Sequence, residues 1–189
     1  LVGLTAGGTP PFVGGAIDVA RRAGAATGVV TCGKLAGLRR PVERAPHVPG
    51  NAPVDLPPPP EDSYRVDYPV EVVVGPEVVT GSTRLKAGTA TKLVLNMLTT
   101  AVMVRRGKTW GNLMVDLRAT NAKLRDRALR ILTEQLALDR DAAGDLLDRA
   151  DGRVKLALVM HRKSLDAEAA EALIKQHDGH LRPILGAPR

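Results

Sequence analysis

Two loops rich in glycine, serine and threonine hold the side chains best suited to chemistry. One is Thr5-Ala-Gly-Gly-Thr9 and the other is Gly75-Pro-Glu-Val-Val-Thr-Gly-Ser-Thr83. Each follows an apolar run and precedes a helical pattern. The start of a helix presents backbone N–H groups and partial positive charge to an anion, and hydroxyls add further donors. Gly7, Gly8 and Thr9 in the first loop are therefore candidate phosphate ligands. So are Thr80, Ser82 and Thr83 in the second, with Arg84 and Lys86 one turn on. An ordinary N-capped helix after a loop has the same pattern, so spacing alone leaves both readings open. Neither loop has the Walker or the dinucleotide glycine spacing, and no nucleotide cofactor is expected. Glu77 is the carboxylate of the second loop. It could act as general base, hold a sugar hydroxyl, or simply be a solvated acid.

The remaining reactive residues point away from other chemistries. His47, His161, His177 and His180 show no metal-ligand spacing with the single cysteine, and no metal is expected. Cys32 ends an apolar run with no neighbouring histidine and reads as an inert buried thiol. One cysteine excludes an intramolecular disulfide framework and suits a reducing cytoplasm. The 189 residues are 44% hydrophobic and 25% charged, an ordinary globular composition able to bury a core. With no evident apolar run near the ~20 residues of a membrane span and no leader, a soluble cytoplasmic chain is expected. Aromatic residues make up 2%, too few to stack the bases of a single strand. The net charge of +7 is concentrated: positions 81 to 130 hold eleven Lys or Arg against Asp116 and Asp126. Such a field favours an anionic partner, a phosphorylated metabolite ahead of a nucleic acid, with a solvated basic helix face as the bland alternative.

Strands and helices must position these loops. Leu1–Ala6 and Thr27–Cys32 read as strands joined by a helix from Phe12 to Ala23, with Gly24 as its stop. That is a βαβ unit with parallel strands and a right-handed crossover. Val70–Val74 reads as a third, buried parallel strand. Residues 41–69 contain nine of the fourteen prolines and read as a surface insertion. Ser82 or Thr83 is expected to cap a helix running to Gly107 on Leu85, Leu93, Met97, Leu98, Ala101 and Val104. Trp110 to about Leu138 reads as one long helix on Leu113, Leu117, Leu124, Leu129 and Leu132. Three shorter helices follow, opened by Asp139 or Asp141, by Asp151, and by Ser164 or Asp166, the last stopping at Gly179. The expected organisation is a domain over 1–109, a connecting helix over 110–138, and a small helical bundle over 139–189.

The run from Val73 through Ala90, continued by Lys92–Thr100 and Gly111–Leu124, closely resembles N-acetylmuramic acid 6-phosphate etherases. The resemblance covers residues 1–32 and about 70–185, and is most specific over 72–124. It implies an α/β fold: part of a parallel-sheet sugar isomerase (SIS, phosphosugar-binding) domain of flavodoxin-like type, followed by a small helical domain. It also implies a lyase that opens the sugar, removes the proton beside the C1 carbonyl and expels D-lactate from C3. Water then adds to give N-acetylglucosamine 6-phosphate. The substrate would be a phosphorylated amino sugar, the full-length form a homodimer, and the role bacterial cell-wall recycling, without cofactor or metal. Three features depart from the family pattern. Its acid/base carboxylates would lie upstream of Leu1. Its first loop reads Ala-Ser-Gly-Arg-Thr-Pro, so Gly7 stands where a phosphate-binding serine is expected and Pro10 where a threonine is. The Pro-rich segment replaces a short connection. A truncated or divergent member fits these departures. The alternative is a non-catalytic regulatory protein, since glucokinase regulatory proteins use the same fold to bind phosphosugars without turnover.

Overall fold

The computed structural model describes residues 1–7, 10–35 and 66–188. Gly8, Thr9 and most of the Pro-rich 41–69 segment lie outside the described residues. In chain order the elements are β1 (Val2–Thr5), α1 (Pro11–Arg22), β2 (Gly28–Thr31), β3 (Tyr68–Glu71), α2 (Lys86–Arg105), β4 (Thr109–Trp110) and β5 (Leu113–Met114). The helices α3 (Ala122–Leu136), α4 (Arg140–Arg149), α5 (Val154–Lys163), α6 (Ala167–Gln176) and α7 (Arg182–Leu185) follow. The chain divides into two compact units, Leu1–Met97 and Leu98–Arg189, with α2 running from one into the other.

The first unit is built on a three-stranded sheet of order β1-β2-β3. Both pairings are parallel, as a βαβ unit requires. The central strand β2 is buried along its whole length. Pro11 suits the first turn of α1, where its missing N–H costs nothing, and Arg21 and Arg22 face the negative end of the helix dipole. Gly3 allows α1 to approach β1, because a Cβ there would stand 2.6 Å from Val13 Cγ1 and 3.2 Å from Ile17 Cδ1. The third strand corrects the sequence reading twice. It spans Tyr68–Glu71 rather than Val70–Val74, and it is exposed throughout rather than buried. The reason is topological: among the described residues β3 pairs on one side only, so its apolar residues line an edge. Before it, Asp67 Oδ2 accepts the Thr27 N–H at 2.7 Å and the Thr27 hydroxyl at 3.1 Å. The Thr27 N–H is the main reason the Asp67 carboxyl lies below its ordinary range.

Helix α2 overturns a second expectation. It has twenty residues and, by length and composition, is apolar enough to cross a membrane. Lys92 is the one charged residue between Lys86 and Arg105, and small Thr and Gly residues had disguised the length of the run. Its buried residue is Ala87.

The second unit opens with a correction. The single helix expected from Trp110 to Leu138 is interrupted: residues 109–114 form a short antiparallel pair, β4 with β5, and helix begins only at Ala122. Trp110, Leu113 and Leu117 match a helical spacing by coincidence. Gly111, at φ +58°, turns the chain back, and Trp110 Nε1 donates to the Gly186 carbonyl at 2.7 Å. Three side chains cap helices as N-cap chemistry demands. Asn121 accepts from Leu124 N–H, Asp139 from Ala142 N–H and Asp166 from Ala169 N–H. Asp151 does not cap α5. It lies at φ +53° and pairs with Arg118 at 2.6 Å, while Arg153 occupies the N-cap. Ser164 ends α5 rather than opening α6, and the one-turn α7 lies beyond the reach of helical periodicity.

Leu132, Leu147, Leu158, Val159 and Leu181 form the centre of a core shared by α3 to α7 and Trp110. Four cations of the basic run, Lys108, Arg118, Arg125 and Arg130, are paired within this unit. Arg125 makes a bidentate pair with Asp148 (2.6 and 2.9 Å), and Asp126 takes Arg130 at 3.1 Å and Arg140 at 2.5 Å. Asp116 receives both Lys108 and Lys155, the latter at 3.1 Å. Exposed pairs of this kind add little to stability. Their larger effect is to lower the local field.

Gly107 closes α2 at φ +64° against the Gly179 backbone, where an added Cβ would stand 2.6 Å from the Gly179 carbonyl. Gly179, at φ +81°, has nothing nearer than 3.5 Å. Left-handed strain alone costs about 1–2 kcal/mol, and overpacking adds about 1–3 kcal/mol. Gly107→Ala is therefore expected to destabilise by about 2–4 kcal/mol in urea unfolding, and Gly179→Ala by about half as much. Equal losses would show that the close approach is not a constraint.

Candidate functional site

The second loop leaves β3 and delivers the chain into α2, and Glu77 organises it. The first N–H groups of a helix have no partner inside the helix. Here Glu77 Oε2 accepts from Lys86 N–H at 2.9 Å and Oε1 from Ala87 N–H at 3.0 Å. Glu77, not Ser82 or Thr83, supplies the side-chain cap of α2. The expected hydroxyl cap fails because the loop spends another turn before the helix begins. Within that turn Ser82 N–H donates to the Val79 carbonyl at 3.0 Å, and Gly88 N–H to the Thr83 carbonyl at 3.0 Å. Gly75 and Gly81 take the left-handed conformations, φ +70° and +83°, that let the loop fold back.

This arrangement changes what the loop can do. The N–H groups of Ala87 and Lys86, with the Lys86 charge nearby, hold the Glu77 carboxyl below the usual carboxylate range. Both of its oxygens already accept hydrogen bonds. Lys86 Nζ folds back to the Pro76 carbonyl at 2.9 Å. The hydroxyls of Thr80, Ser82 and Thr83 are engaged by no hydrogen bond among the described residues, and Thr80 and Thr83 are exposed. The loop therefore presents a set of short donors beside a basic side chain. Its carboxylate has both oxygens engaged, and its unengaged side-chain groups are hydroxyls.

The end of β2 is fastened to the same helix. Cys32 Sγ lies 3.4 Å from the Ala87 carbonyl and 3.6 Å from Thr91 Oγ1, and the thiol is buried as expected. Gly7 is exposed just past β1, at the same end of the parallel sheet, whereas Gly8 and Thr9 lie outside the described residues. One carboxylate at this end escaped the sequence reading: Glu71, at the end of β3, accepts the Leu35 N–H at 2.7 Å. Its place inside an apolar strand pattern concealed it. Among the described residues no group of three His, Cys, Asp or Glu could hold a metal ion. The second unit carries two open surface grooves, one beside Asp145 and Asp148 of α4, the other beside Lys123, Arg127 and Arg130 of α3. Neither has the buried polar lining of a site.

No family model matches the chain. Curated proteins do. The N-acetylmuramic acid 6-phosphate etherase of Nostoc sp. is 48% identical over 187 residues, which is 99% of this chain and 53% of that protein. The etherases of Synechococcus elongatus and Picosynechococcus sp. are each 45% identical, over 99% and 98% of this chain and 53% and 54% of their own lengths. The match is wider than the two stretches that carry the motifs. The chain spans about half the length of the curated relatives it matches. Over 99% of its residues it is thus a homologue of N-acetylmuramic acid 6-phosphate etherases, corresponding to their carboxyl-terminal part.

Proposed function

We propose that the chain forms the phosphosugar-binding part of a lyase that cleaves the D-lactyl ether of N-acetylmuramic acid 6-phosphate. The observation that carries this reading is near-full-length identity to proteins of that name, 48% in the Nostoc case. The loop geometry agrees with it. Thr80, Ser82 and Thr83 donate to the 6-phosphate, Arg84 and Lys86 supply charge, and Gly7 approaches from the first strand end. In the reaction a base removes the C2 proton of the opened sugar and the C3–O bond breaks. The departing oxygen takes a proton to give D-lactate. Water then adds across the C2–C3 double bond, restoring a hydroxyl at C3. Glu77 is a poor candidate for the base, because a carboxylate with both oxygens engaged and a lowered pKa has little pull on a carbon acid. We assign it to positioning the loop. Base and acid then belong to the amino-terminal half that the relatives carry. The sheet is read as part of a sugar isomerase-type domain, and the whole protein as a cytoplasmic homodimer.

The second reading is a phosphosugar-binding regulator without turnover. The saturated Glu77 carboxylate favours it for this chain taken alone.

Three measurements test these assignments. In calorimetry with N-acetylglucosamine 6-phosphate, Ser82→Ala combined with Thr83→Ala should weaken binding at least tenfold, roughly 1.4 kcal/mol. Unchanged affinity would remove the loop from the site. Incubated with N-acetylmuramic acid 6-phosphate, the 189-residue chain should release no D-lactate above background. A steady protein-dependent release, lost in Glu77→Gln, would instead make Glu77 catalytic. Finally, the folded-state pKa of Glu77 lies below its ordinary value of 4.5. Its stabilising effect is then complete above about pH 4.5 and is lost as pH falls through the folded value. Thermal melts of wild type and Glu77→Gln should differ most near pH 7 and converge in acid. A gap independent of pH would refute the capping role.

A further inference from the structure

The carboxyl end of the sheet carries a third turn besides the two glycine-rich loops. Thr5, Thr31 and Glu71 lie abreast at the ends of β1, β2 and β3. β2 is the middle strand, so the chain leaving it emerges between Gly7 and the loop of Glu77. Ligands of parallel sheets are held outside the carboxyl ends of the strands. The turn is fixed on both sides. Gly33 N–H donates to Thr31 Oγ1 at 3.2 Å, and Leu35 N–H donates to Glu71 Oε1 at 2.7 Å. Its root is tied to the helix that the Glu77 loop serves. The Cys32 thiol donates to the Ala87 carbonyl at 3.4 Å, and Glu77 takes the N–H of that same residue.

Lys34 stands between the two fixed positions. It is exposed, and its ammonium has no ion pair or hydrogen bond among the described residues. Glu71 gives its bond to the backbone of the turn and forms no ion pair with Lys34. An unpaired ammonium on a fixed turn at the ligand-binding end of a sheet is placed to meet an anion. The proposed substrate has two anions. Its 6-phosphate is assigned to the hydroxyls of Thr80, Ser82 and Thr83. The other is the carboxylate of the D-lactyl group, carried on the C3 oxygen and so on a different part of the sugar. The product, N-acetylglucosamine 6-phosphate, has no such carboxylate.

We propose that Lys34 is a specificity-determining residue that pairs with the lactyl carboxylate of the substrate. Glu71 is its positioning residue and holds the turn through the Leu35 N–H. This rests on the phosphosugar reading and adds to it the contact that tells substrate from product. The 189-residue chain is titrated by calorimetry with N-acetylmuramic acid 6-phosphate and, separately, with N-acetylglucosamine 6-phosphate. Wild type should bind the first more tightly. Lys34→Gln should weaken binding of that sugar about fivefold or more and leave the other little changed. Lys34→Arg, which restores a cation, should keep the preference. Glu71→Ala frees the turn and should lose the preference, whereas Glu71→Gln still offers an oxygen to the Leu35 N–H and should retain it. Equal affinity of the wild type for the two sugars would overturn the inference and leave the phosphate assignment standing. Equal losses for both sugars in Lys34→Gln would do the same. A preference lost alike in Glu71→Gln and Glu71→Ala would remove the positioning role. A wild type that binds neither sugar would overturn the phosphosugar reading and this inference with it.

Discussion

Helix α2 begins with peptide N–H groups that its own backbone cannot satisfy, and one carboxylate from nine residues upstream takes two of them. That pairing of Glu77 with Lys86 and Ala87 is the interaction on which the rest of the candidate site depends. It closes the loop after β3 into a fixed turn, and it places Thr80 to Thr83 beside the helix start. It also removes from use the two N–H groups that an anion would otherwise seek first. A phosphate bound here must rely on hydroxyls and loop amides. Cys32 fastens the same helix turn through the Ala87 carbonyl, so the end of β2 and the loop after β3 both hold the start of α2.

The helical unit meets a different constraint. Its charges are numerous, yet Asp116, Asp126, Asp148 and Asp151 each hold one arginine or lysine from the basic run. Four cations of a stretch that reads as a strong positive field become members of local pairs once folded. The cations next to the loop in sequence are Arg84 and Lys86.

Legibility in the sequence follows from how local each signal is. β1, α1 and β2 are legible because apolar runs, Pro11 and Gly24 punctuate them within a few residues. The caps at Asp139 and Asp166 are legible for the same reason. Asp151 misleads, because Asp151-Gly152 forms a left-handed turn instead of a cap. The β4–β5 pair hides inside a helical spacing that Gly111 interrupts. The residues of the binding loop are legible as types, but the partner of α2 is not, since N-cap rules look one turn back and Glu77 lies farther away. Exposure of β3 and α2 is not legible either. It depends on what packs against them, and apolar sequence reads the same whether its cover is present or not.

The central proposal is that Thr80 to Thr83, held by Glu77, receive the phosphate of an amino sugar. The most direct test is a titration of the isotopically labelled chain with N-acetylglucosamine 6-phosphate, followed through backbone amide resonances. The account predicts saturable shifts centred on Gly75–Leu85 and the first turn of α2, with none produced by unphosphorylated N-acetylglucosamine. Shifts centred on Lys123, Arg127 and Arg130 of α3, with the loop resonances unmoved, would contradict it.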